Sequence, residues 1–171
     1  MASNFNNKVI GRYSIMGMSD YYKNLREKIG NELIFMPGVA GVIRNEQGEI
    51  LFGRKHNETN WGLIAGAIEL GETPAQAMIR EAWEETGLII EPEKVIGIYG
   101  GEEQRFTYSN CHQVEYLTIV FECSIKSGQL ASDNEEIMDL QFFPENELPP
   151  IANKYPDYIF SSNQEERAHF K

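Results

Sequence analysis

Cysteine is scarce in this 171-residue chain, which carries only Cys111 and Cys123. Two thiols make neither a disulfide framework nor a zinc site. The residues around them read as strand, so both are expected as free thiols in a reducing cytosol. Positive charge is also in short supply: 15 Lys and Arg stand against 26 Asp and Glu, a formal net charge of −11. Neutralising a phosphate backbone needs Lys and Arg, so no nucleic-acid partner is expected. No apolar run reaches transmembrane length and the start lacks a signal-peptide pattern, so no membrane association is expected and a cytoplasmic location is the default. The three histidines do not form a ligand set: His56 and His112 are isolated and His169 lies in a polar tail. There is no internal repeat and no low-complexity linker. What remains is one domain, long enough to bury a sizeable core.

The most informative part of what is present is residues 66–88. Thr73 is a good N-cap, Pro74 sits where a missing N–H costs nothing, and Gln76 completes a capping box. Gly87 is placed to stop the helix. At 100° per residue, Ala75, Met78, Ile79, Ala82 and Trp83 form one broad apolar side. Glu81, Glu84 and Glu85 gather on nearly the opposite side, with the small Ala77 among them. Like charges at these spacings destabilise a bare helix. Arg80 can pair with Glu84 but cannot answer for all three. A hard divalent ion with oxygen ligands, Mg2+ or Mn2+, fits the need. The bland alternative is a solvated acidic face.

Written as a spacing, the stretch is Gly-x5-Glu-x7-Arg-Glu-x-x-Glu-Glu-x-Gly-Leu. It resembles the Nudix box, the signature of the Nudix hydrolase family, at its fixed positions. Ala82 is smaller than the aliphatic residue usual there, and the preceding Trp61-Gly-Leu-Ile-Ala65-Gly66 departs from the commoner Pro-Gly-Gly. The resemblance covers roughly residues 38–150 and implies an α/β/α sandwich with a mixed β-sheet. Residues 1–37 are then an N-terminal extension with a helix, and residues 151–171 a C-terminal helix and tail of the same domain. The implied activity is Mg2+-dependent hydrolysis of a pyrophosphate bond in a nucleoside diphosphate linked to another moiety, with a nucleotide or nucleotide-sugar type substrate. A non-catalytic nucleotide-sensing module and a diphosphate isomerase on the same scaffold are the rivals. The intact glutamates argue against the first, and the lack of a catalytic setting for either cysteine weakens the second. A homodimer is left open.

Carried over by position, Glu81, Glu84 and Glu85 match the catalytic, metal-binding glutamates, with Glu81 the candidate general base or water orienter. Ala65 is expected to offer its main-chain carbonyl to the metal. Glu72 and Arg80 match positions that tie loop to helix by an ion pair, and Gly66, Gly71 and Gly87 are expected to serve backbone conformation. Family members often carry an extra glutamate in a later loop, which here points to Glu135 or Glu136. Arg54 is a candidate phosphate contact and Trp61 a candidate base-stacking residue. The simpler readings are a solvated strand end and a sheet-edge plug.

The rest of the chain reads as a scaffold. Residues 9–15 are a short strand or an arm. Ser19-Asp20 caps a helix ending near Ile29, with Tyr22, Leu25, Arg26 and Ile29 at helical spacing. Residues 39–44 and 49–54 read as a hairpin, 95–99 as a strand, 102–110 as a polar loop and 138–143 as a strand. Residues 144–149 read as a short helical turn. Residues 114–125 alternate strongly and are apolar on both faces, as a central strand covered on both sides should be.

Overall fold

In the computed structural model the Ser19 hydroxyl accepts the Tyr22 amide and opens helix α1 (Asp20–Ile29), which Gly30 ends at φ 60°. The residues described are 19–56, 58–108, 110–131, 136–152, 155–163 and 168–170. The expected strand or arm at 9–15 lies outside them, as does Glu135. Tyr22 and Arg26 are the buried residues of α1. Arg26 donates there from its two terminal nitrogens to three carbonyls, those of Gly30, Glu32 and Gln113, at 3.1, 2.7 and 2.6 Å. A charged side chain thus pins the helix to the start of the sheet.

The sheet is built on β1 (Ile34–Arg44) and β6 (Gln113–Gly128), which run parallel with Ile34 opposite Val114 and Arg44 opposite Ser124. Strand β4 (Leu88–Tyr99) flanks β6 antiparallel. Strand β2 (Ile50–Lys55) touches β1 only at Arg44↔Ile50 and pairs along its length with β7 (Ile137–Phe143). Further along, β1 is edged by β3 (Ile64–Ala67), from Gly38↔Ala67 to Gly41↔Ile64. The expected hairpin therefore diverges after one pair, because β3 takes the edge that β2 leaves.

Alternation sends the side chains of β1 and β6 to two faces. Val39, Ile43, Phe121 and Cys123 meet Ala77, Met78 and Ala82 of helix α2 (Pro74–Thr86). A Cβ on Gly41 would lie 2.9 Å from the Met78 Cε, so a glycine there lets the helix sit close. On the other face Ala40, Val42 and Val120 meet Ile159 and Phe160, while Ile34, Met36 and Val114 meet α1. The result is an α/β/α sandwich around a mixed sheet.

Three expectations are corrected. Strand β4 begins at Leu88 and not near Val95; register shifts at Ile89/Ile90, Pro92/Lys94 and Val95/Gly97 break its alternation and hide it from a period-two reading. The loop at 102–110 contains a 3-10 helix (Glu102–Gln104) and strand β5 (Arg105–Thr107) on the edge of β6. The short helical turn expected at 144–149 is a single hydrogen-bonded turn, closed by the Glu147 amide on the Pro144 carbonyl. Among the described residues the C-terminal stretch has no α-helix: a 3-10 helix (Asp157–Phe160) is followed by β8 (His169–Phe170), parallel to β4. Pro156 holds an extended backbone ahead of that turn, and burying both Ile159 and Phe160 takes only a single turn.

Candidate active site on the acidic flank of helix α2

The N-terminus of α2 forms as its sequence dictates. The Thr73 hydroxyl accepts the Gln76 amide at 3.3 Å, and the Gln76 side chain accepts the Thr73 amide at 2.9 Å. Gly87 ends the helix in the left-handed region at φ 73°. The helix is nevertheless rolled from its expected orientation. Ala77, on the acidic side by periodicity, is fully buried, whereas Trp83, on the apolar side, is 46% exposed. The seam with the sheet takes the small residues Ala77 and Ala82 and leaves the bulky indole outside. That roll turns the acidic flank inward under β3: Glu85 is only 5% exposed.

Arg80 is the hub of this flank. It is buried and donates to both Glu72 carboxylate oxygens at 2.8 and 2.9 Å, to the Ala67 carbonyl at 2.9 Å, to Glu81 at 2.6 Å and to Glu84 at 3.1 Å. Glu72 in turn accepts the Glu69 amide at 3.1 Å. The expected tie between loop and helix is thus present as a two-pronged pair. Gly66 has a role other than the one expected. Its φ is not positive; a Cβ there would lie 2.0 Å from the Glu81 carboxylate. The residue is small to make room for an acid.

Carboxylates outnumber cations here. Burial raises Glu81 to about 7, against the pull of Arg80 and with the push of Glu84 and Glu136. Burial raises Glu85 to about 8, against Lys55 and with Glu81 and Glu136. Glu84 is raised as well, first by burial and then by Glu72 and Glu136 against the Arg80 hydrogen bond. Glu136, at the start of β7, therefore acts electrostatically on all three. Lys55, at the end of β2, ion-pairs with Glu136. Although burial works against its charge, Glu85 and Glu136 raise its pKa. A carboxylate with a pKa near 7 is matched to proton transfer near neutrality.

Lys55, Ala65 and Gly66 also line a cleft together with four aromatic residues, Phe106, Tyr108, Tyr116 and Tyr155. The Tyr108 and Tyr116 hydroxyls meet at 2.7 Å, and the Phe106 and Tyr116 rings lie edge to face with centroids 5.8 Å apart. Arg54 and Trp61 are elsewhere. Arg54 pairs with Asp139 and lies 5.5 Å from the Trp61 ring centre, while Trp61 packs edge-on against Phe143. Lys55 was one residue from the expected Arg54; on a strand, one residue is the difference between two faces. The aromatic wall carried no sequence signal, because β5 and β6 bring it together only by pairing.

The donors fit a divalent cation in chemistry: four repelling carboxylates, three of them on one rigid helix, offer hard oxygen ligands. As folded, Glu81 and Glu84 lean on Arg80, and Glu85 accepts the Ala65 amide at 3.4 Å. Among the described residues no three Asp, Glu, His or Cys side chains stand gathered in metal-holding geometry.

A family model described as NUDIX domain matches residues 34–162. It extends past the expected 38–150 at both ends, taking in the first residues of β1 and the 3-10 helix at 157–160. A MutT-like protein of Streptomyces ambofaciens is 29% identical over 117 residues, covering 68% of this chain and 70% of that one. A protein of Bacillus subtilis (strain 168), provisionally named ADP-ribose pyrophosphatase YjhB, is 31% identical over 116 residues, which is 68% of this chain and 53% of its own length. The solved structure of a UDP-X diphosphatase is similar with a TM-score of 0.59 and 26% identity, covering 81% of this chain and 64% of that one. The matched stretch is thus less than two thirds of either of the last two proteins. With the box residues, the sandwich and a family model spanning most of its length in agreement, the chain belongs to the Nudix family.

Proposed function

We propose that the protein hydrolyses the pyrophosphate bond of a nucleoside diphosphate linked to a second group, with Mg2+ or Mn2+ as its cofactor. The observation that carries this reading is the crowding of Glu81, Glu84, Glu85 and Glu136 beside a cleft lined by a lysine and aromatic rings. A pyrophosphate resists attack because its negative charge repels a nucleophile. A bound divalent ion neutralises that charge and acidifies a water. Glu81, Glu84, Glu85, Glu136 and the Ala65 carbonyl would hold it.

The chain's own residues do the rest. Glu81 takes the proton of the attacking water, in keeping with a pKa raised toward neutrality by burial. Arg80 fixes Glu81 and Glu84 and holds the 66–72 loop on the helix. We assign the phosphate contact to Lys55, which lines the cleft. Arg54 and Trp61 then brace the β2–β7 edge behind it. The names of the relatives support a nucleotide-sugar or ADP-ribose type substrate.

The test is a panel of nucleoside diphosphate sugars, dinucleoside polyphosphates and nucleoside triphosphates, with Mg2+ or with chelator, read by mass spectrometry. Metal-dependent release of a nucleoside monophosphate from at least one linked diphosphate is expected. No product from any member in the presence of Mg2+ or Mn2+ would overturn the reading.

A further inference from the structure

Gln104 is 4% exposed and its Oε1 is buried without a hydrogen-bond partner among the described residues. Gln104 is also one of the residues that line the cleft, with Phe106, Tyr116 and Tyr155. A buried amide oxygen left unpaired costs free energy comparable to a lost hydrogen bond, so it favours a ligand that brings it a donor. Its position is firmly held. The Gln104 amide donates to the Gly101 carbonyl at 2.9 Å, closing the one-turn 3-10 helix, and β5 follows at once on the edge of β6.

The surroundings say what the missing partner is. It must bring an N–H donor and a flat apolar body, because the atom is an acceptor and the walls beside it are rings. A nucleobase has both. An amide also donates from its other end, so it matches a base edge on which a donor and an acceptor are neighbours. Lys55 lines the same cleft and ion-pairs with Glu136, which sets the phosphates on the side of the carboxylates.

We infer that Gln104 is the specificity-determining residue of this protein, reading the N–H edge of the nucleobase of its substrate. This deepens the hydrolase reading and rests on it for the word substrate, though base binding can be measured separately. Hydrogen-bonding sites reject analogues that leave their polar groups unpaired, so the preference written by Gln104 belongs in kcat/KM ratios between bases.

The experiment has two arms, each run on the wild type, on Gln104→Met, which keeps the length without the amide, and on Gln104→Leu. In the first, ADP-, UDP-, GDP- and CDP-linked sugars are compared by kcat/KM with Mg2+. In the second, AMP, UMP, GMP and CMP are titrated calorimetrically into chelator-treated protein. We expect the wild type to favour one base by about tenfold or more in both arms, and both variants, folded by circular dichroism, to collapse that ratio to less than about threefold. A purely structural Gln104 would lower all four values together and leave the ratio standing, which overturns the inference. So does a wild type with no base preference in either arm. Loss of hydrolysis in the first arm with a Gln104-dependent preference in the second defeats the hydrolase reading and upholds Gln104 as the base reader.

Discussion

The two sides of helix α2 near Arg80 hold similar groups and reach opposite balances. Toward the loop, Glu72 meets a guanidinium in two-pronged geometry, with the Glu69 amide and the Ala67 carbonyl completing the network. Toward the cleft, Glu81 and Glu84 lean on the same Arg80, Lys55 pairs with Glu136, and burial, helped by the Glu136 charge, raises the pKa values of Glu81, Glu84 and Glu85. The first side is closed and supports the fold. The second crowds like charges against one another, which is what a site for a cation and its phosphate ligand requires. Stability and chemistry should therefore separate across a few ångströms of one helix.

The largest effect expected is on turnover. Glu85→Gln or Glu84→Gln should lower kcat by about 100-fold or more while leaving the fold intact. Steady-state rates with Mg2+ and a thermal melt on the same sample check both halves; near wild-type turnover would dissolve the contrast. Arg80→Ala strikes the closed side. Removing one partner of a buried ion network costs about 3–5 kcal/mol, to be read from urea unfolding, with activity falling as the glutamates lose their anchor.

Next comes pH. Folded Glu81 and Glu85 hold their protons to about 7 and about 8, against a reference of 4.5 for each. A raised carboxyl pKa means that the folded state binds the proton more tightly, so this stabilisation is whole below 4.5 and is lost as pH rises through the folded values. Metal-free protein should therefore lose stability, read as a fall in Tm, between about pH 5 and about pH 8, and Mg2+ should restore it. A melt that is flat across that window, or unmoved by Mg2+, would erase the asymmetry. The smallest stability effect is expected from Gly66→Ala. The added methyl meets only the tip of a flexible side chain, so Tm should hold while displacement of Glu81 lowers kcat by about tenfold.

Some of this was legible before any coordinates. The capping box, Pro74 and Gly87 set the ends of α2 because helix termini are local events, decided within a few residues. The alternation of β6 announced a strand covered on both faces for the same reason of short range. Strand β4 was half lost because its register shifts interrupt the pattern a reader counts on. Lys55 and Gln104 were passed over because neither stands in a motif. Both owe their place to which strand lies beside which, and a one-residue change of face decides whether a side chain lines the cleft or the outer surface.

By itself, the order of residues determined that α2 would form, that three acids would lie along one flank of it, and that Arg80 could pair with Glu84, since spacing on a helix is geometry independent of surroundings. Only the tertiary structure decided that this flank would face inward under β3, bury Glu85, and meet Lys55 and Glu136 from distant strands. Burial and long-range charge, which set the pKa values and hence the chemistry, arise from packing between segments, and no local stretch contains them.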